Sequence, residues 1–310
     1  MGRFVIVALT LCALSFGHRN SFSSSGILGP SHSLILNTIE SWKTQYPDLV
    51  EIIDYGKSVQ GRTLRLALVR REGNFRKRPV LFMSGATHGN EYLNIEDRVP
   101  QELLARARIS GPVSRFLDEG GVYVFVPILN PDGYENKTRE NSNAVDLNRD
   151  WNVAAVNFKG FKEPETRALA EVLESLKVSR SLRYQITVDY HCCIGALLHP
   201  WSYPEAPPLA PSAAEKHQAV GELVSQFLNV DFGTTGDILG YFPVGTTKDY
   251  FYETYQAAAF TFEGRFQLEN QRLDKHIAWW EQMTALVRGE PDLSGLAITQ
   301  KKKRLFPLAD

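Results

Sequence analysis

Short runs dense in Val, Ile, Leu, Phe and Tyr recur along the chain at 64–69, 80–84, 122–127, 184–190 and 257–262. Brief, continuously apolar runs of this kind predict strands buried in a sheet. The longer segments 163–176, 213–228 and 274–287 predict helices, as does 91–108, which Pro100 should kink or split. Strands interleaved with helices predict an α/β sandwich around a mixed or largely parallel sheet. Ligands of such sheets bind beyond the carboxyl ends of the strands.

The first residues follow a different pattern. Arg3 precedes an uncharged apolar run over 4–16, and Ser15-Phe16-Gly17 offers a small-x-small cleavage site. The run falls short of the about 20 residues a membrane-spanning helix needs, so residues 1–17 predict a cleaved export signal rather than a retained anchor. A Ser- and Gly-rich leader over 18–32 should precede one domain over 33–290, and residues 291–310 form a tail. Lys301-Lys302-Lys303-Arg304 within that tail reads as a solvated end. The expected location is secreted or periplasmic, and the expected state is a monomer without stable membrane insertion.

Of 310 residues, 43% are hydrophobic and 11% aromatic, which suits a folded globular chain. The formal net charge of −1 supplies no global field for nucleic acid or an anionic membrane, so a substrate has to be selected locally. Cys192 and Cys193 are adjacent, and an intervening trans peptide would hold them badly for a disulfide. Two free thiols in an exported chain point to a bacterial compartment rather than an animal secretory one.

Candidate chemistry gathers at strand ends. The run at 80–84 leads into His88-Gly89-Asn90-Glu91, where a turn at Gly89 lets imidazole and carboxylate face one point. Zinc accepts both donor types at about 2.0–2.2 Å. That pair alone is weak, since a histidine at a strand end is more often structural. His191, at the end of the run 184–190, strengthens it: a His/Glu/His set leaves a tetrahedral position open, as in a catalytic zinc centre. The two cysteines are poor rival ligands, because consecutive strand residues point to opposite faces.

With later motifs in the same order, these residues resemble the zinc carboxypeptidases typified by the pancreatic enzymes, over roughly 33–290. The resemblance implies a single α/β domain around a mixed eight-stranded sheet and one Zn²⁺ per chain on His88, Glu91 and His191. It implies a peptide substrate with a free C-terminal carboxylate, held by Asn148 and Arg149. Arginine suits that task, since its planar fork meets a carboxylate in two parallel hydrogen bonds. Arg139 would stabilise the oxyanion, Asp146 would orient His88, and Glu263 would be the general base. Tyr241, 22 residues before Glu263, matches a mobile substrate-covering tyrosine. The same count places Lys248 at the base of the specificity pocket, with Ser202, Thr246 and Thr247 nearby. An ammonium there predicts release of acidic residues, most simply glutamate, whereas a Lys248 pointing to solvent would select nothing.

The pattern also departs from the pancreatic enzymes. Asn90 stands where they carry arginine, and Cys192-Cys193 replace a small polar residue and a tyrosine, so subsite contacts should differ. Residues 161–167 resemble exported bacterial members that cut cell-wall peptides, which makes a murein-peptide substrate the alternative. A non-catalytic peptide-binding module is the remote reading, because every ligand and the base are kept.

Overall fold

Each of the five apolar runs forms a strand: β2 (Thr63–Arg70), β3 (Arg78–Gly85), β4 (Val122–Val126), β5 (Leu182–Cys192) and β8 (Ala258–Gly264). Three shorter or more polar segments also join the sheet: β1 (Val50–Lys57), β6 (Ala196–His199) and β7 (Asp231–Thr234). The structure, a computed structural model, describes residues 29–266 and 268–290. The predicted signal and the basic tail lie outside the described residues.

The eight strands run in the order β1-β2-β4-β3-β5-β8-β6-β7. The pairs β3–β4, β3–β5, β5–β8 and β6–β7 are parallel, while β1–β2, β2–β4 and β6–β8 are antiparallel. The sheet is thus mixed, as the resemblance implies. The central strands are buried on both faces, which is why they read as continuous apolar runs. Leu81 and Met83 of β3 join one core layer, with Trp279, Trp280 and Met283 of α9 (Leu273–Arg288). Val80 and Phe82 join the other, with Leu169 of α5 (Pro164–Ser179) and Phe251 of α8 (Thr247–Tyr255). Also present are α1 (His32–Gln45), α2 (Arg98–Arg106), α3 (Pro112–Asp118), α4 (Pro131–Asn136), α6 (Pro211–Leu228) and α7 (Thr235–Leu239). The helices α2, α3 and α6 pack with α9. No helix among the described residues is long and apolar enough to cross a membrane.

The helix expected over 91–108 is shorter than its apolar content suggests. Only α2 forms, and Glu91 lies in irregular chain before it. The buried Glu96 carboxylate accepts the backbone N–H of Leu93 at 2.8 Å and of Ile95 at 3.0 Å, tying that segment into turns. Pro100 falls in the first turn of α2, where a missing N–H removes no helical bond.

Candidate active site

The sheet brings the strand-end residues together. His191 of β5 stands beside Glu263 of β8 in register, and Ser84 of β3 stands beside Asp189 of β5. His88 follows β3 on a turn pressed against the backbone of α4. A Cβ at position 89 would meet the Gly133 carbonyl carbon at 2.0 Å, so glycine is required there for space rather than for a left-handed conformation.

The three expected donors converge. His88 Nδ1 lies 2.8 Å from Glu91 Oε2, and His191 Nδ1 lies 3.0 Å from both. Tetrahedral zinc with bonds of about 2.0–2.1 Å holds its donors about 3.3 Å apart, so an opening of a few tenths of an ångström accommodates it. Both rings present Nδ1 to this point and anchor Nε2 on a carboxylate. His88 Nε2 is 2.9 Å from Asp146 Oδ1, as expected from the resemblance. His191 Nε2 is 2.8 Å from Asp189 Oδ2. Asp189 also accepts the hydroxyls of Ser84 at 2.7 Å and of Thr87 at 2.9 Å. Sequence reading missed Asp189. The available signal was an acidic residue inside an apolar strand, two positions before His191 and so on the same face.

The charges are mutually tuned. Burial pushes Glu91 up, but His88 and His191 outweigh it and hold its carboxyl below the usual carboxylate range. Burial disfavours a charged His191, yet Asp189 and Glu91 outweigh it and lift its pKa well above an ordinary imidazole's. Glu263 differs: burial dominates and raises its carboxyl to about 7. Its Oε2 is enclosed and accepts no hydrogen bond from another side chain or backbone group.

A cleft of about 270 Å³ joins His88, Glu91 and Glu263 to Arg139, Asn148, Arg149 and Tyr241. Arg139 reaches Glu91 Oε1 at 3.1 Å through Nη1, and Asp146 Oδ2 at 2.9 Å through Nη2. Asn148 Oδ1 accepts the Thr247 N–H at 2.9 Å, which leaves its amide NH₂ for the cleft. One Arg149 nitrogen donates to the Asn148 carbonyl at 2.6 Å. Tyr241 is exposed at the mouth, just beyond α7.

Lys248 does not point to solvent. It is 2% exposed; its Nζ donates to Ser202 Oγ and lies 3.3 Å from Asp249 Oδ1. The ammonium that the spacing placed at the pocket base is paired with a neighbouring carboxylate, Asp249, which the register argument left out. Lys248 reaches the cleft indirectly: Ser202 Oγ is 3.3 Å from Thr246 Oγ1, and Thr246 lines the cleft.

The expectation of two free thiols is also corrected. Cys192 and Cys193 are joined by a disulfide, and the peptide between them is cis, not trans as supposed, with Cα atoms 3.1 Å apart. Cys192 lines the cleft, and its backbone N–H donates to Glu91 Oε2 at 3.3 Å.

A mixed eight-stranded sheet with a His/Glu/His donor set at its strand ends, faced by the half-buried Glu263, defines the metallocarboxypeptidase class. The family profile described as zinc carboxypeptidase, Peptidase_M14, matches residues 35–277, and the chain belongs to that family.

Curated relatives include the inactive metallocarboxypeptidase ECM14 of Ajellomyces capsulatus, 27% identical over 233 residues, covering 61% of this chain and 38% of that protein. Carboxypeptidase B of Helicoverpa zea is 21% identical over 271 residues, covering 71% and 58%. The chain therefore spans well under two thirds of the length of these relatives. Among solved structures, thrombin activatable fibrinolysis inhibitor superposes with a TM-score of 0.70 at 18% identity, covering 82% of this chain and 73% of that one. A metallo-carboxypeptidase from Burkholderia cenocepacia gives 0.66 at 15% identity, covering 83% and 69%. These likenesses bear on the fold.

Proposed function

We propose that the chain is an active, zinc-dependent carboxypeptidase rather than an inactive member of its family. The observation that carries this reading is Glu263, a half-buried glutamate whose enclosed Oε2 accepts no hydrogen bond from the chain, beside the three donors. His88, Glu91 and His191 would hold one zinc, which supplies Lewis acidity toward a carbonyl oxygen and a more acidic water when bound. Asp146 and Asp189 fix both imidazoles with Nδ1 toward the metal point. Arg149 and the Asn148 amide take the substrate's terminal carboxylate, which sets the scissile bond one residue into the cleft. Glu263 Oε2 accepts the proton of the attacking water and returns it to the departing amine. Arg139, at the cleft edge, offers positive charge to the oxygen that becomes anionic.

For specificity we propose terminal glutamate. The Lys248 ammonium stands behind Ser202 and Thr246, whose hydroxyls donate readily to a carboxylate once Ser202 Oγ accepts from Nζ. Acylated dipeptides ending in Glu, Asp, Phe, Leu, Lys and Arg test both levels. Turnover by the zinc-loaded protein should fall about 10²–10⁴-fold in Glu263→Gln, with zinc stoichiometry unchanged. No hydrolysis of any substrate, or a Glu263→Gln variant within a few-fold of wild type, overturns the catalytic reading. Fastest release of Phe or Leu, or a ranking untouched by Lys248→Met, overturns the glutamate preference alone.

A further inference from the structure

The cleft continues past the metal donors. Its floor is set by β6 and β8, where Leu198 stands beside Thr261 and Ala196 beside Glu263 in antiparallel register. The step from the first pair to the second leads toward the carboxyl end of β8. Ile194, in the bend between β5 and β6, lies two residues further along the same path. The bend is held to β8 by the Gly195 N–H, which donates to the Glu263 carbonyl at 2.6 Å. At the other end, the Thr247 N–H donates to Asn148 and the Trp151 N–H to the Gly245 carbonyl, so Asn148 and Arg149 stand beside Thr246. A peptide whose terminal carboxylate is taken there, with its scissile bond at the donors, runs on past Glu263 toward Ile194. That direction rests on the proposed carboxypeptidase reading.

The wall it meets is apolar and open to solvent. Ile194 is 44% exposed and Tyr241 46%, and both line the cleft together with Cys192. One exposed isoleucine in a bend is ordinary. Two large apolar side chains turned to a single cleft are not scattered, and covering them removes apolar surface from water. Two cations lie close by without contesting this wall. Arg139 is committed to Glu91 and Asp146. Arg265 packs its guanidinium on the backbone of Gly195, where a Cβ would meet it at 2.5 Å, and does not line the cleft. Cys192 is joined to Cys193 and offers no thiol. The same segment departs from the pancreatic enzymes, so the wall is this chain's own.

We infer that Ile194 and Tyr241 form a subsite for a large apolar side chain, of phenylalanine or leucine type, on the residue just before the scissile bond. The chain then reads two consecutive residues of its substrate, the terminal one in the pocket and the penultimate one on this wall. An acidic or basic penultimate side chain would lie against isoleucine and tyrosine with no partner for its charge.

The test uses two series of N-acetyl dipeptides, one ending in Glu and one in Phe, with Phe, Leu, Gly, Asp or Lys before the scissile bond. The full zinc-loaded chain is compared with Ile194→Ser and with a control, Ile109→Ser, which removes an exposed isoleucine that does not line the cleft. In both series kcat/KM for penultimate Phe or Leu should exceed Gly by about tenfold, as one apolar side chain in a pocket can discriminate. Ile194→Ser should bring that ratio within about threefold and leave the preference for the terminal residue unchanged, while Ile109→Ser keeps the ratio. Calorimetry of the same peptides on zinc-loaded Glu263→Gln, with and without Ile194→Ser, should give the same ranking in affinity without turnover. A chain that hydrolyses nothing thus loses the catalytic reading, while the affinities still decide the subsite. Equal values across the penultimate residues, a preference for Asp or Lys, or a ranking that survives Ile194→Ser overturns this inference alone.

Discussion

Asp189→Asn is the sharpest probe of how the donors are held. The aspartate is 2% exposed, and one carboxylate serves three groups: Ser84, Thr87 and His191. Asparagine keeps one acceptor oxygen for the two hydroxyls, so the β3–β5 connection survives. Its amide then turns an N–H toward His191 Nε2. Two outcomes remain for the ring. Either two donors face each other in a site without water to separate them, or the proton moves to Nδ1, the atom that has to bind the metal. Loss of such a partner lowers metal affinity about 10–100-fold, which is about 1.4–2.7 kcal/mol. The upper end is expected, because Thr87 precedes His88 and both arms of the donor set lean on this carboxylate. Competition against a chelating zinc indicator measures the affinity, and thermal unfolding checks that the fold is intact. A folded Asp189→Asn protein that binds zinc within threefold of wild type would refute the reasoning.

Two further outcomes are expected. Arg149→Ala should lose about 2–5 kcal/mol of transition-state binding, read as kcat/KM on a free dipeptide, because the terminal carboxylate would enter the cleft unpaired. Equal cleavage by wild type of a substrate and its C-terminal amide would contradict that role. Glu96 titrates in the opposite sense to a salt-bridged acid: burial raises its carboxyl from 4.5 to about 8. The unfolded chain gives up this proton above pH about 4.5 and the folded chain holds it, so its stabilisation is complete at lower pH and declines up to pH about 8. The full span corresponds to at most about 5 kcal/mol. Urea unfolding across that window should show a steeper decline for wild type than for Glu96→Gln, and parallel curves would dispose of the assignment.

What was legible in the sequence follows from burial and from local chemistry. The central strands are covered on both faces, so they leave uninterrupted apolar runs. By contrast, β1 is only partly buried along most of its length, and β6 and β7 are four residues each, so neither left a run to read. The donors were readable because each lies at a strand end or in the turn that follows. The helix expected over 91–108 failed because a side chain, Glu96, competes for the backbone N–H groups a helix would use. Asp189 and Asp249 were missed for a shared reason. Each acts through a partner fixed only by the fold, across strands for Asp189 and against Ser202 and Lys248 for Asp249.

Whether such a site is active or a relic turns on what it costs to keep. Glu91, Asp146, Asp189 and Glu263 crowd four carboxylates around two imidazoles in a largely buried space. Three of them are held by hydrogen bonds to histidine or arginine. Glu263 is not: a buried polar atom without a partner costs about 1–3 kcal/mol, and an apolar residue at this position would relieve it. A module that only bound peptides would need Arg149 and Asn148 but would gain nothing from that carboxylate. Neither structural demand nor peptide binding accounts for an unpaired acid set across from three metal donors. The proton transfer proposed for Glu263 would, because it requires a carboxylate whose oxygen is left free for water. On the proposed reading the inactivity named for the ECM14 relatives does not extend to this chain, and the Glu263→Gln comparison tests it.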